Sequence, residues 1–293
     1  MIKRSEVGKR FCWTILFVFI YVFGSKIALP FVDLSRVLNV NETTATGLQL
    51  SSAIMGGNLR GMSIFSIGLS PWMSSMILWR VFTVSKRFNL EKTSADIVGR
   101  RKMYLTLLLA LVQALAVSMY LPLQTSLNSA LVIAVNTMIM IAGTFFLVWL
   151  SDLNAALGLG NSVVIMMAGM VMYLPEDIMR TLSKMDIPTY WYAIGLFLIL
   201  AFVYTAVLIE YARYRIPVNK LGIHNNLKSY SFLDIKLNPA GGMPFMYAMT
   251  LVSIPQYVLL LVLSMDSNAK WAAKFAKELV MGEPVWILLY IFM

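Results

Sequence analysis

The sequence predicts an all-α polytopic membrane protein, and its composition and its apolar runs lead to that class. Hydrophobic residues make up 59% of the 293-residue chain and charged residues only 13%, whereas soluble domains carry about 25% charged residues. Several apolar runs reach the roughly 20 residues that a helix needs to span a bilayer. The net charge of +10 is therefore interpreted as loop charge that sets membrane topology, and no nucleic-acid partner is expected.

Seven predicted spans and the beginning of an eighth follow each other along the chain. They cover residues 11–30, 62–83, 103–122, 129–150, 162–179, 190–210 and 241–264, and WILLYIFM at 286–293 begins the eighth. Eight apolar residues are too few to cross a bilayer as a helix. We therefore expect about seven spans and a partial eighth.

The basic residues predict the orientation. Fifteen lysines and arginines lie in the N-terminal segment and in the loops 84–103 and 211–238, against seven in the loops of the other side. Cytoplasmic loops of membrane proteins are enriched in these residues. The N-terminus is therefore predicted to be cytoplasmic.

The predicted spans lack the residues of an intramembrane catalyst. His224, the single histidine, falls in the 211–238 loop, and Cys12 is the single cysteine, which excludes an internal disulfide and a cysteine-based metal cluster. The spans contain no HExxH, no paired aspartates and no GxSxG. We expect no catalytic residue, no cofactor and no metal site. Ion-coupled transport is weakly supported because buried carboxylates are missing.

Glycine and proline interrupt two spans at similar places. Span 2 contains SIGLSPWM at 66–73 and span 7 contains PAGGMPFM at 239–246, which predicts helix breaks at Gly68, Pro71, Gly242 and Pro244. Matching interruptions in two halves favour an internal repeat around a central pathway. The alternative is that glycine and proline are simply common in membrane helices.

Large flexible side chains lie close to these breaks. Leu69 and Met73 are four residues apart and share a helical face, as do Met166 and Met170, while Met243 follows the second break. Unbranched thioethers can repack around varied partners, so such a ring could seal an opening and still yield to a passing chain. Ordinary core packing explains the spacing equally well.

Several blocks of the sequence resemble the SecY family of protein-conducting channels. RGMSIFSIGLSPWMSSMIL at 60–78 is similar to the second span of SecY, and GRRK at 99–102 to the loop before its third span. The stretch 143–175 is similar to spans 4 and 5, EYARYRIPVNK at 210–220 to the start of the large cytoplasmic loop, and LNPAGGMPFMYAMTLVSIPQ at 237–256 to span 7. The substitution SPWMSS, the short cytoplasmic hairpin and the many methionines are most like the accessory SecY of Gram-positive bacteria.

The resemblance implies a clamshell of two halves related by an inverted repeat. Residues 1–185 would form the N-terminal half with spans 1–5, and 186–293 a partial C-terminal half with spans 6 and 7, the start of span 8 and the loop 211–238. A lateral gate would lie between spans 2 and 3 and spans 7 and 8. The implied pore ring consists of Leu69, Met73, Met166, Met170 and Met243. A plug at about 48–58, with Leu48, Leu50, Ile54 and Met55, would pack beneath the ring.

The resemblance also implies partners. Arg213, Arg215, Ile216 and Pro217 correspond to the hairpin that contacts the motor ATPase SecA, although charge that only sets topology explains the arginines equally well. Small SecE- or SecG-like or accessory Sec membrane subunits, the lipid bilayer and an unfolded preprotein complete the set. The resemblance to the accessory SecY implies serine-rich glycoprotein adhesins as substrates.

The sequence as a whole predicts a protein-conducting channel subunit of the bacterial plasma membrane, with SecA supplying the energy. Two alternatives from other classes are a secondary transporter with broken helices and an insertase that works through the lateral gate. The family has ten spans, so a further hypothesis is a truncated chain that does not translocate alone.

Overall fold

The computed structural model describes residues 4–32, 62–84, 94–120, 128–160, 163–169, 171, 172, 179, 189–217, 232–238, 241, 243–265, 270–279 and 283–292. In chain order the elements are α1 (Arg4–Gly24), α2 (Ser70–Val84), α3 (Ala95–Tyr120), α4 (Ser129–Leu157), α5 (Thr189–Tyr211), β1 (Arg213–Pro217), β2 (Phe232–Lys236), α6 (Met243–Met265), α7 (Lys270–Glu278) and α8 (Pro284–Phe292). Residues 163–169 are also helical. The chain forms two compact units, Met1–Pro175 with Met246–Met293, and Glu176–Phe245.

In the first unit, α1 packs against α4, α4 against α3, and α3 against α2. Small residues line the contact of α3, where Ala110, Ala114 and Ala116 are fully buried. Lipid tails are as apolar as leucine, so helices in membranes associate through close packing of small residues and through interhelical hydrogen bonds. One such bond joins α3 to α4, since the Ser118 hydroxyl donates to the carbonyl of Ile133 at 3.2 Å.

Hydrogen bonds hold the end of α4 and attach it to α1. The backbone N–H of Leu159 donates to Thr14 Oγ1 at 2.8 Å, and the N–H of Gly158 donates to the carbonyl of Asn154 at 2.8 Å. A side chain at Gly158 would overlap Asn154 and crowd Thr14. The glycine therefore lets the last turn of α4 approach α1.

The second unit contains α5 and a two-stranded antiparallel sheet. No residue of α5 between Ile194 and Tyr211 is buried, and the helix is apolar on all sides, as lipid-facing helices are. Its end leads into β1, which pairs with β2 so that Arg215 lies opposite Asp234. Cross-strand partners share one face of a sheet. The other face is apolar and exposed, and consists of Tyr214, Ile216, Leu233 and Ile235.

Four of the described helical stretches are long and apolar enough to cross a membrane. They are Val7–Gly24, Asp96–Met119, Ser129–Leu157 and Ile194–Tyr211, and a shorter apolar stretch runs over Thr250–Leu263. These ranges overlap predicted spans 1, 3, 4, 6 and 7, and several of their ends differ from the predicted ones, as at Gly24, where the first stretch ends before the predicted residue 30. The total of seven spans and a partial eighth stays a prediction, as does the division into halves at residue 185.

The structure differs from the predicted spans in three places. The predicted span 2 begins at residue 62, but residues 62–69 are not helical and α2 begins at Ser70. The loops predicted at 211–238 and 266–284 contain the strands β1 and β2 and the helix α7. Hydropathy locates apolar stretches but does not report backbone conformation, and these polar elements are short.

Gly143 offers a test of how closely α4 approaches the irregular segment 62–69. A Cβ at Gly143 would overlap the backbone oxygen of Ile64, and overpacking of this kind costs about 1–3 kcal/mol. Gly143→Ala should therefore lower the free energy of unfolding, measured by circular dichroism during denaturation of the purified protein in detergent. Gly99→Ala in α3 is the matched control because its Cβ would meet open space, and it should leave stability equal or slightly higher. Equal stability of the two variants would contradict the close approach.

Candidate functional site

Residues 62–69 form a buried, non-helical segment between α1 and α2. Every residue from 62 to 71 is buried except Ile64, which is half-buried. Two backbone hydrogen bonds tie the segment to the chain after α1: Leu29 N–H donates to the carbonyl of Met62 at 2.8 Å, and Ile64 N–H to that of Ile27 at 3.1 Å. Irregular backbone at membrane depth is tolerated only where protein or water satisfies its polar groups.

Local contacts hold the rest of this segment. Ser66 donates to the carbonyl of Ser63 through both its backbone N–H at 3.0 Å and its hydroxyl at 2.6 Å. The ring of Phe65 stacks between Tyr21 of α1 and Phe146 of α4, with centroid distances of 6.0 and 5.9 Å. A Cβ at Gly24 would overlap the Phe65 ring. The two neighbouring helices thus leave a slot that the segment fills.

The segment contributes residues to two apolar clusters of the first unit. Ile67 belongs to the first, which contains Leu29, Met62, Ala114, Ala116, Val117, Met140 and Tyr257. Phe65 and Leu69 belong to the second, which contains Phe17, Tyr21, Leu147, Val148, Leu150, Ile165 and Met166. A shift of the segment would therefore disturb both clusters together.

Three of the predicted ring residues meet in the second cluster. Leu69 is fully buried there, Met166 is buried, and Met73 is half-buried and packs against the same group. Met170 lies outside the described residues. Met243 begins α6 in the second unit, and its side chain lies outside the described ones. The structure thus brings Leu69, Met73 and Met166 together, and their role as a pore ring stays a prediction.

The predicted helix breaks have different positions in the structure. Gly68 has φ of 60°, the left-handed conformation that glycine adopts at no steric cost. Pro71 lies in the first turn of α2, where its missing N–H removes no intrahelical bond. The irregular backbone therefore precedes the helix instead of interrupting it. Gly242 lies outside the described residues, and Pro244 lies in the first turn of α6. The predicted plug, 48–58, also lies outside them.

Hydroxyl groups connect α2 to its neighbours. The Ser75 and Thr106 hydroxyls are 2.7 Å apart across the contact between α2 and α3. The side chain of Ser70, the first residue of α2, is hydrogen-bonded to Tyr257 of α6, which is fully buried. Sequence reasoning did not single out these contacts, since a serine in a span usually bonds only to its own helix.

The arginines of the hairpin share one carboxylate. Arg213 Nη1 lies 3.4 Å from Asp234 Oδ2 and Arg215 Nε lies 3.3 Å from Asp234 Oδ1. The Arg215 guanidinium also stacks over Phe232 at 4.7 Å. Lys236 pairs separately with Glu210 at 3.1 Å. The face with Arg213, Arg215 and Asp234 therefore has a net positive charge. Ile216 is exposed on the opposite, apolar face, and Pro217 ends β1.

Sequence comparison assigns the family. The SecY profile matches residues 63–293. The accessory Sec system translocase subunit SecY2 of Streptococcus sanguinis is 50% identical over 290 residues, which cover 98% of this chain and 71% of that protein. The chain belongs to the SecY family.

Solved SecY-type structures share the fold. A protein-conducting channel has a TM-score of 0.61 at 14% identity, over 90% of this chain and 61% of that one. A SecY protein, whose plug domain stabilises the closed channel and maintains a membrane seal, has a TM-score of 0.59 at 14% identity, over 90% of this chain and 60% of that one. This chain therefore spans about three fifths of those structures.

The comparisons confirm the predictions of a SecY-type helical membrane fold and of an accessory member. Membership of a translocation-channel family favours the channel over the secondary transporter. They do not test the individual site residues. The irregular segment 62–69 of this SecY family member remains the feature that positions Leu69 and Met73.

Tyr257 tests the contact between α2 and α6. Tyr257→Phe removes the hydroxyl that bonds to Ser70 and should destabilise the protein by about 0.5–1.5 kcal/mol in detergent unfolding. Tyr204→Phe is the control, because Tyr204 is 66% exposed on α5. In a double-mutant cycle, the effects of Tyr257→Phe and Ser70→Ala should be less than additive. Full additivity would show that the two hydroxyls do not interact.

Proposed function

We propose that the chain is the channel-forming subunit of an accessory Sec translocase, which passes unfolded proteins across the plasma membrane while a SecA-type motor supplies the energy. The observation that best supports this is the meeting of Leu69, Met73 and Met166 beside a buried irregular segment. A simple bundle needs no such segment, and membranes tolerate it where it lines a pathway or is enclosed by protein.

The chemistry of the three side chains suits a seal that opens. All are apolar, so they exclude water and ions when packed together. Methionine is unbranched and polarizable, and it adapts to neighbours of different shape. Leu69 sits on the tethered segment, whereas Met73 is half-buried on α2. The pore face therefore combines a fixed member with an adaptable one.

The remaining parts of the channel are assigned by similarity. The stretch at about 48–58 would be the plug that seals the closed state, as the plug domain does in the related SecY protein. Met170 and Met243 would complete the ring from this chain. The N-terminus would face the cytoplasm, in line with the basic loops.

The partners follow from the same assignment. SecE- or SecG-like or accessory membrane subunits would bind the channel, and the motor would bind the hairpin of β1 and β2. The streptococcal relatives are named as subunits of an accessory Sec system, and serine-rich glycoprotein adhesins are the proposed cargo. Insertion of membrane proteins through the lateral gate remains a separate candidate, which the identity of captured clients distinguishes.

Cysteine crosslinking tests the pathway. In a Cys12→Ser background, Met73→Cys should form a disulfide with a single cysteine in a preprotein that is stalled during export, in cells that express the chain with its translocase components. Leu108→Cys on α3 is the control, since Leu108 is 60% exposed on an apolar helix and should face lipid. Crosslinks to secreted preproteins support export, and crosslinks only to membrane proteins would support insertion. Adducts at Leu108→Cys with none at Met73→Cys would contradict the proposed pore face.

Arg215 tests the motor contact separately. Two guanidinium groups share the single Asp234 carboxylate, so a net positive charge remains there. An acidic surface of the motor would be attracted to this charge. Arg215→Ala should weaken binding of the purified motor by about three- to tenfold at low salt, and the difference should shrink at high salt. Binding can be measured by the motor's fluorescence anisotropy with the channel in nanodiscs.

Lys274→Ala is the matched control for Arg215→Ala, because Lys274 lies on α7, in a loop that the basic-residue count predicts to be on the opposite side of the membrane. It should leave motor affinity unchanged. If both substitutions weaken binding equally, net charge and not the hairpin is responsible, and the assigned motor contact is wrong.

A further inference from the structure

The short helix α7 differs from every other described helix in its distribution of charge. Its sequence is KWAAKFAKE, and Lys270, Lys274 and Lys277 recur at spacings of four and three residues, which places them on one helical face. Trp271 and Phe275 are four residues apart and occupy the adjacent face. Ala272 and Leu279 are seven positions apart on the far side.

The burial of these side chains follows that division. Ala272 is fully buried and Leu279 is buried, whereas Trp271 is 58% and Phe275 is 55% exposed. Lys274 is exposed as well. Alanine and leucine thus attach the helix to the protein, and the side chains of Trp271, Lys274 and Phe275 remain uncovered in the part of the chain that the structure describes.

The position of α7 is fixed by its neighbours. The N–H of Leu279 donates to the carbonyl of Phe275 at 3.0 Å, which extends the last turn. The Gln256 side-chain amide of α6 donates to the carbonyl of Leu279 at 2.7 Å. The helix also contacts α8. Its exposed faces are therefore set by the fold, and are not those of a freely rotating loop.

The location of α7 in the chain is close to the ends of two apolar helices, α6 and α8. Only residues 266–269 separate α7 from the apolar helix α6, and only 279–283 separate it from the apolar helix α8. At about 3.3–3.6 Å per residue, these links keep α7 near the level at which its two neighbours end. Met265 and Leu288 on those neighbours expose apolar side chains of their own.

We propose that α7 is an anchor in the membrane interface that binds anionic lipid. Trp271 and Phe275 would enter the boundary between headgroups and acyl chains, where aromatic rings are favoured. The exposed Lys274 would contact the phosphate of an anionic lipid such as phosphatidylglycerol. Basic amphipathic helices bind membranes through this combination of apolar contact and attraction to anionic headgroups. The lipid contact does not depend on whether the chain conducts protein.

Fluorescence quenching by brominated lipids tests the proposal on the whole chain in proteoliposomes. The contribution of Trp271 is the difference between the wild-type protein and Trp271→Phe, since the chain has seven tryptophans. Brominated phosphatidylglycerol should quench this contribution more strongly than brominated phosphatidylcholine at equal mole fraction. One basic side chain near an anionic surface gives about fivefold local enrichment of anionic lipid, so Lys274→Gln should reduce the preference by about that factor.

Lys9→Gln is the matched control, because it removes the same charge from the exposed side of α1 and should leave the Trp271 preference intact. High salt should reduce the preference in the wild-type protein. Equal quenching by both lipids would overturn the anionic contact. No quenching of Trp271 by either lipid would show that protein, from a partner or from a second copy, covers the aromatic side chains. If Lys9→Gln and Lys274→Gln had equal effects, the net charge of the protein would explain the lipid preference, and the proposed lipid site on α7 would be wrong.

Discussion

The structure depends on hydrogen-bonding partners for the backbone N–H and carbonyl groups of residues 62–69, which lie inside a membrane protein. A helix bonds its own N–H and carbonyl groups, but this segment does so only in part, so other groups of the protein must bond to the rest or cover them. Leu29 and Ile27 provide backbone partners, and Gly24 and Gly143 provide room. Both α1 and α4 take part, because the ring of Phe65 stacks on Tyr21 of α1 and on Phe146 of α4.

The contacts that hold α2 differ in kind from those that hold the segment that precedes it. Residues 62–69 are held by backbone hydrogen bonds and by aromatic stacking on two sides. Contacts of α2 with its neighbours include the hydroxyl pair of Ser75 and Thr106 and the bond between Ser70 and Tyr257. Such interhelical hydrogen bonds average about 0.6 kcal/mol in membranes. Polar contacts of this strength can be exchanged for others at low cost, whereas the stacked segment cannot leave its slot without exposing backbone.

Hydropathy was sufficient to predict the membrane class and most helical ranges, and the resemblance to SecY was needed to predict the grouping of Leu69, Met73 and Met166. They did not predict that α2 begins at Ser70, because an apolar segment enclosed by protein has the same composition as an apolar helix. They also missed β1 and β2, since five-residue strands with arginine, aspartate and lysine on one face resemble a polar loop. The amphipathic α7 was missed because a nine-residue helix with three lysines and a glutamate has the composition of a polar loop. In each case the missing information concerned contacts between distant residues.

The difference in burial between Leu69 and Met73 indicates where an opening would begin. Leu69 lies on the tethered segment and is fully enclosed, so its displacement would disrupt the second cluster, including Met166 and the residues of α1 and α4. Met73 lies one turn further along, on a helix whose described neighbours are joined to it in part by hydroxyl groups. Moving α2 would therefore shift Met73 while Leu69 stays in place. Such a movement would have to break the hydrogen bond from the Met73 N–H to the carbonyl of Leu69, which is 3.0 Å long. In the proposed channel, α2 would therefore be the wall that moves, and the second cluster would stay packed around Leu69.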